Sequence, residues 1–317
     1  MQKIYQLKYG LVLIHSRAKT SIPVPTLHYC SLDEFKEIGA PYMLMDYING
    51  STAADLREAS HCAEDMYGTP DQDRRFRLQM AAIQVELSTH RFNQIGTLWQ
   101  NESTSEFYIG PDLETGKGPW RSSTDYYNDH VDFALSECLR RVGRSVRDTP
   151  SMMVPLIFKH LITLYDDASK REGPFVLTNR DFGAHNLLVN REFEIVAVID
   201  FDGIMSAPIE MVSQFPVLTD LDMEMPGVIE TRPEAIERMK SVQPNLEAYK
   251  RMVQLAEAKM VERRDHDNFG HIMLSDLASV WHGMRSYWCF QAYVNDASMM
   301  GYAHLLRKHH EDSTDRT

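Results

Sequence analysis

The stretch LTNRDFGAHNLLV, residues 177 to 189, and the apolar run that follows it constrain the fold more than any other feature. Leu187-Leu188-Val189 and Ile195-Val196-Ala197-Val198-Ile199 are two short apolar runs, and Asn190-Arg191-Glu192 is a polar turn between them. This pattern predicts an antiparallel hairpin. Asn186 stands just before the first run and Asp200 just after the second. Antiparallel pairing brings such open ends side by side, so two oxygen-bearing side chains far apart in sequence become neighbours. Asp181 lies on the loop feeding the hairpin, in the pattern D-x-x-x-x-N with Asn186.

Those three side chains suit one chemistry. Magnesium prefers oxygen ligands and takes few of them from protein, leaving the rest to phosphate and water. Asn186 and Asp200 offer such ligands, and Asp181 can orient an acceptor hydroxyl and take its proton. Phosphoryl transfer needs mainly positioning and charge neutralisation, which three polar side chains can supply on this side of a nucleotide. D-x-x-x-x-N alone is common, and Asp and Asn favour turns anyway. The ordered combination of loop, strand, turn, strand and Ile199-Asp200 is the stronger signal. Asp202 becomes the metal ligand instead if the second strand runs two residues longer; Asp200 directly ends the apolar run.

Composition narrows the partners. The chain has 317 residues, 43% hydrophobic and 25% charged, enough for a sizeable core in one large domain or two lobes. Its formal net charge of -12 argues against a phosphate-tracking surface and hence against a nucleic-acid partner. Cys30, Cys62, Cys138 and Cys289 form no CxxC pair, so a reducing, cytoplasmic setting is expected. The apolar patch Gly10 to Ile14 ends at His15 and Arg17, so no signal peptide is expected. No apolar run approaches the ~20 residues of a membrane helix, so no membrane partner is expected.

Along the chain, SIPVPTLHYC (21–30) predicts an extended segment, and PYMLMDYING (41–50) a buried strand ending in a glycine turn. After it the pattern turns mostly helical. Phe76, Met80, Ile83 and Leu87 recur at helical spacing, as do Phe158, Leu161, Ile162 and Tyr165. YIGPDLETGKGPW (108–120) predicts a turn-rich loop. The last third reads as helical, with Trp281, Tyr287, Trp288 and Phe290 as core, and the final RKHHEDSTDRT as a frayed tail.

The chain resembles the fungal branch of the aminoglycoside phosphotransferase family, which has a protein-kinase-like fold and is related to choline kinases. FVLTNRDFGAHNLLVN resembles that family's catalytic loop and VAVIDFDGIMSAPIEM its metal-binding segment. TSIPVP, GAPYMLMDYINGSTAADL, LSTHRFNQIGTL and IGPDLETGKGP resemble further stretches of the branch, in the same order. The resemblance implies ATP and Mg2+ as cofactors and a small-molecule hydroxyl as acceptor. It implies that MLMDYI is the hinge between lobes, where backbone groups around Asp46, Tyr47 and Ile48 meet adenine. Glu210 falls where the family often carries an acid that braces the catalytic loop.

The chain also departs from the family pattern. Asn179 stands where a scaffold His is usual. SIPVP normally follows a small sheet with a glycine-rich loop, a phosphate-binding Lys and a Glu partner. Only twenty residues precede it here, and Gly10 is the only Gly before Gly39. Gly110 to Gly118 has five residues between its first glycines and no Ser or Thr after the Lys, so it reads as a surface loop. His266 and His271 lack metalloprotease spacing, and His309-His310 reads as a solvated tail.

The expected fold is α+β and protein-kinase-like. Residues 1–50 would form a remnant of the N-terminal lobe and the hinge. Residues 51–317 would form a mainly helical C-terminal lobe with its catalytic loop at 179–203. The expected function is an ATP/Mg-dependent phosphotransferase acting on a small-molecule hydroxyl. The alternatives are a catalytically inactive pseudokinase-like binding protein, or a fragment of a longer kinase-like enzyme.

Overall fold

The computed structural model describes residues 19–31, 39–63, 65–101, 103–112, 115–142, 155–156, 158–160, 162–163, 171–201, 204–212, 215–221, 233–263 and 274. The predicted C-terminal aromatic cluster and tail, the late histidines, Cys289, Asp202 and residues 1–18 lie outside them.

The described chain is α+β. Strands β1 (Leu27–Ser31) and β2 (Tyr42–Met45) form an antiparallel ribbon. β3 (Ser51–Thr52) leads into α1 (Ala53–Ala59). α2 (Pro70–Ser88) follows, then β4 (Arg91–Phe92), β5 (Thr97–Gln100) and β6 (Phe107–Gly110). Next come α3 (Ser123–Val142), β7 (Phe175–Asn179), a 3-10 turn at Ala184–Asn186, β8 (Leu187–Val189) and β9 (Ile195–Val198). β10 (Ile204–Ala207), α4 (Ile209–Val212), a second 3-10 turn at Thr219–Leu221 and α5 (Pro233–Arg263) complete it. The sheets run β3-β8-β9, β4-β7-β10 and β5-β6 beside the ribbon.

Helix α2 is the central post. Thr69 and Gln72 form a reciprocal capping box and Pro70 opens the first turn, which satisfies donors the helix would leave orphaned. Phe76, Met80, Ile83 and Leu87 are all buried, as their spacing predicts. Across from them α5 buries Val242, Leu246, Tyr249, Val253 and Ala256, and the Tyr249 hydroxyl donates to Gln84 Oε1 at 2.6 Å. Phe158 and Ile162 are helical and buried too.

The extended segment at 21–26 straps two elements together. Ser21 Oγ donates to Glu86 on α2 at 2.7 Å, and the Val198 N–H on β9 donates to the Pro23 carbonyl at 2.8 Å. On the same strand the Ile195 N–H donates to Gln79 Oε1 of α2 at 2.8 Å.

Three expectations need correction or refinement. PYMLMDYING does hold a strand, but not a buried one: Leu44 is 54% exposed and Tyr47 89%. β2 has β1 as its only strand partner among the described residues, and a two-stranded ribbon leaves much of both faces to solvent. The region after residue 50 is mostly helical among the described residues, but the short strands β3 through β10 also lie in it. The turn-rich loop at 108–120 begins as β6, paired with β5 in the register Trp99↔Tyr108.

Candidate functional site

The hairpin forms as the sequence predicts, with Leu187 opposite Val198 and Leu188 opposite Ala197. Its turn is two residues longer than the polar triplet. Asn190 Oδ1 accepts the N–H groups of Glu192 and Glu194 at 2.9 and 3.0 Å, and Phe193 enters the left-handed region at φ 56 and is buried. Side-chain acceptance of this kind is why Asn suits turns.

At the open end, the Ile199 N–H donates to the Asn186 carbonyl at 2.9 Å, which carries the next residue, Asp200, alongside Asn186. Asp200 is exposed and has φ 56, a left-handed backbone that Asp tolerates better than most residues. β3 pairs with β8 on the other side, Ser51 opposite Val189. The segment from Asp46 to Gly50 therefore joins the β1-β2 ribbon directly to the hairpin sheet. Gly50 serves that approach: a Cβ there would lie 3.0 Å from the Val189 carbonyl.

Asp181 is held from several directions. Its N–H donates to Asn179 Oδ1 at 3.1 Å. His185 Nε2 lies 3.1 Å from Oδ1, and Asn186 Nδ2 donates to Oδ2 at 3.1 Å and to the Asp181 carbonyl at 3.0 Å. The carboxylate is still 57% exposed, while Asn186 is buried. Asn179 thus braces the loop through its amide oxygen. Among the described residues its Nδ2 is a buried donor without a partner, which costs about 1–3 kcal/mol. The next residues are pinned as well: the Val217 N–H donates to the Phe182 carbonyl at 2.8 Å, and Gly183 bridges Val217 in parallel.

The structure thus brings Asp181, Asn186 and Asp200 to one end of the hairpin. Both metal candidates are oxygen donors, as magnesium requires. Among the described residues no three His, Cys, Asp or Glu side chains gather as a metal cage. The other predicted residues, Asp46, Tyr47 and Ile48, lie on the connector. The Asp46 N–H is already committed to the Thr26 carbonyl at 3.0 Å. Its carboxylate accepts from the Thr26 N–H at 3.1 Å and meets His28 Nε2 at 2.6 Å. Those hydrogen bonds, Thr26 first and then His28, hold its pKa down to about 2. Among the described residues no hydrogen bond engages the N–H groups of Tyr47 and Ile48. Glu210 lies in α4, in the chain after β10.

The loop at Gly110 to Gly118 is tied to the body. Asp112 accepts from the Thr115 N–H and Oγ1, and Lys117 pairs with Asp129 at 2.6 Å. Behind it His130 is buried against the Trp120 and Tyr126 rings. Burial pulls the His130 pKa down to about 4, with Asp112 opposing and the Arg180 guanidinium assisting. Between about pH 6.5 and 4 the unfolded chain binds a proton at His130 that the folded chain refuses, so stability rises with pH there. Acidifying across that window should cost up to about 3 kcal/mol through this residue. Urea titrations of the wild type and a His130→Gln variant should show a shallower acid slope in the variant.

A family model described as APH: phosphotransferase enzyme family matches residues 12–211. No curated protein matches the chain. Among solved structures, an apo thermostable mutant of aminoglycoside phosphotransferase APH(4)-Ia is similar at 15% identity and a TM-score of 0.45, covering 95% of this chain and 83% of that one. Another mutant of that enzyme, in ternary complex with AMP-PNP and hygromycin B, is similar at 16% identity and 0.45, over 95% and 82%. A GDP complex of an aminoglycoside 2'-phosphotransferase-IIIa mutant reaches 13% and 0.40, over 99% and 84%. At such identities and scores the family model is the match that decides.

Proposed function

We propose, from the premise that this chain belongs to the phosphotransferase enzyme family, that it transfers phosphate from ATP to the hydroxyl of a small molecule. The observation that carries this reading is the meeting of Asp181, Asn186 and Asp200 at the open end of one hairpin.

Asp181 is the proton acceptor. Among the described residues each of its carboxylate oxygens has one partner, His185 or Asn186, which fixes the plane of the group. The remaining lone pairs are left for the incoming hydroxyl. With its amide NH2 given to Asp181, Asn186 presents Oδ1 as its ligating atom, beside the Asp200 carboxylate. Magnesium held there would neutralise charge on the transferred phosphate. Tyr47 and Ile48 are the hinge contacts for the base, and Asp46 shapes the hinge by clamping Thr26 and His28. The acceptor is a small-molecule hydroxyl whose identity a substrate panel must supply.

Thermal unfolding tests the reading. At 100 times its dissociation constant, MgATP should stabilise the chain by about 2.7 kcal/mol, roughly five degrees at this size. Asp200→Ala should lose that rise. No rise in the wild type would sink the reading and leave a non-catalytic binding protein. A full rise in Asp200→Ala would move the metal ligand elsewhere, with Asp202 the first to replace.

A further inference from the structure

Arg77 and Asp220 form an ion pair at 2.8 Å, with side chains only 7% and 5% exposed. Arg77 spends its fork on three separate pieces of chain. Nε donates to Asp73 Oδ2 at 2.9 Å within α2, Nη1 faces Asp220, and Nη2 donates to the Asp65 carbonyl at 2.8 Å. Its guanidinium also lies 5.8 Å from the Tyr67 ring centre, with Arg57 at 5.4 Å from the same ring. Arg57 adds a contact from Nη1 to Thr219 Oγ1 at 3.3 Å.

A buried pair of this kind is a poor way to gain stability, because desolvation offsets most of the attraction and apolar replacements often do as well. What the pair does accomplish is geometric. Asp220 belongs to the turn at Thr219–Leu221, and that turn continues from Val217, which donates to the Phe182 carbonyl and bridges Gly183. A Cβ at Gly183 would come within 2.7 Å of the Val217 carbonyl, so the two strands of chain are in tight contact. Phe182, Leu218 and Leu221 are buried around the junction. A rigid line thus runs from Arg77 through Asp220 and Val217 to Phe182, the residue beside Asp181.

We propose that Arg77 and Asp220 are positioning residues that set where the Asp181 carboxylate stands. This rests on the phosphotransfer reading for its catalytic consequence and on the hydrogen bonds alone for its mechanical one.

Hydrogen exchange and kinetics on Asp220→Ala and Asp220→Asn separate the two. Asp220→Ala should raise exchange at Val217 and through residues 182–186 by about tenfold more than it does in α2. Its MgATP hydrolysis should keep KM and lose about ten- to a hundredfold in kcat. Asp220→Asn, whose neutral oxygen can still accept from Arg77, should fall between Ala and wild type in both readouts. If Asp220→Ala does not fold, Asp220→Asn gives the same reading at smaller amplitude. Exchange that rises everywhere alike, or not at all in the loop, overturns the proposal, as does kcat that stays level while the loop loosens. If the wild type binds no MgATP, the phosphotransfer reading fails; with or without ATP hydrolysis in the absence of an acceptor, the exchange result decides whether the pair positions the loop.

Discussion

An Asp181→Asn variant should transfer phosphate about a thousandfold more slowly than the wild type while binding MgATP as well. The substitution keeps the shape of the side chain but removes its basicity, so the acceptor hydroxyl loses the group that takes its proton. A thousandfold loss corresponds to about 4 kcal/mol of barrier. One loop bond also changes, because an amide cannot accept at both ends from His185 and Asn186. The loop keeps its other anchors, from Asn179 Oδ1 and the Val217 N–H, so the backbone should hold. ADP release with an acceptor panel gives the rate, and the MgATP melting shift gives the affinity. A variant at full rate would mean that the proton goes elsewhere.

The largest effect on stability should come from Arg77→Leu. Removing one partner of a buried pair strands the other, which costs about 3–5 kcal/mol. The stranded group is Asp220, whose pKa burial already raises while Arg77 opposes the rise. Without Arg77 the rise is larger. A folded-state pKa above the unfolded value means the folded chain holds the extra proton, so stability falls as pH rises through that window. The deficit relative to wild type should therefore be greatest at neutral pH and shrink as pH falls towards the carboxylate range. Urea midpoints at pH 7 and pH 5 measure it. An equal deficit at both, or one under about 1 kcal/mol, would mean that water or another cation has replaced the guanidinium.

The difference between what sequence reading reached and what it missed follows from range. The hairpin was legible because Leu187 to Asp200 carries its own strands, turn and ligands within one local pattern. α2 was legible for the same reason, from Phe76, Met80, Ile83 and Leu87 and a capped start. β4, β5, β6, β7 and β10 were not, because strands of two to five residues carry too little alternation to stand out. The ribbon was misjudged because Tyr42 to Met45 is apolar, and apolar composition does not say whether a second layer covers a strand. Nothing local marks Arg77 and Asp220 as partners, since a buried pair is a property of packing. A signal for Asn179 did exist: an amide two residues before an Asp can accept its N–H, as it does here.

The strap at 21–26 has a consequence for behaviour in concentrated solution. β9 is the outer strand of the sheet that carries Asn186 and Asp200, and an outer strand is a template on which another chain can add. Pro23 and Gln79 occupy the N–H groups of Val198 and Ile195, so the template is already filled from within. Loosening the Ser21 anchor on Glu86 would open that edge, and the first symptom would be self-association of a still-folded chain.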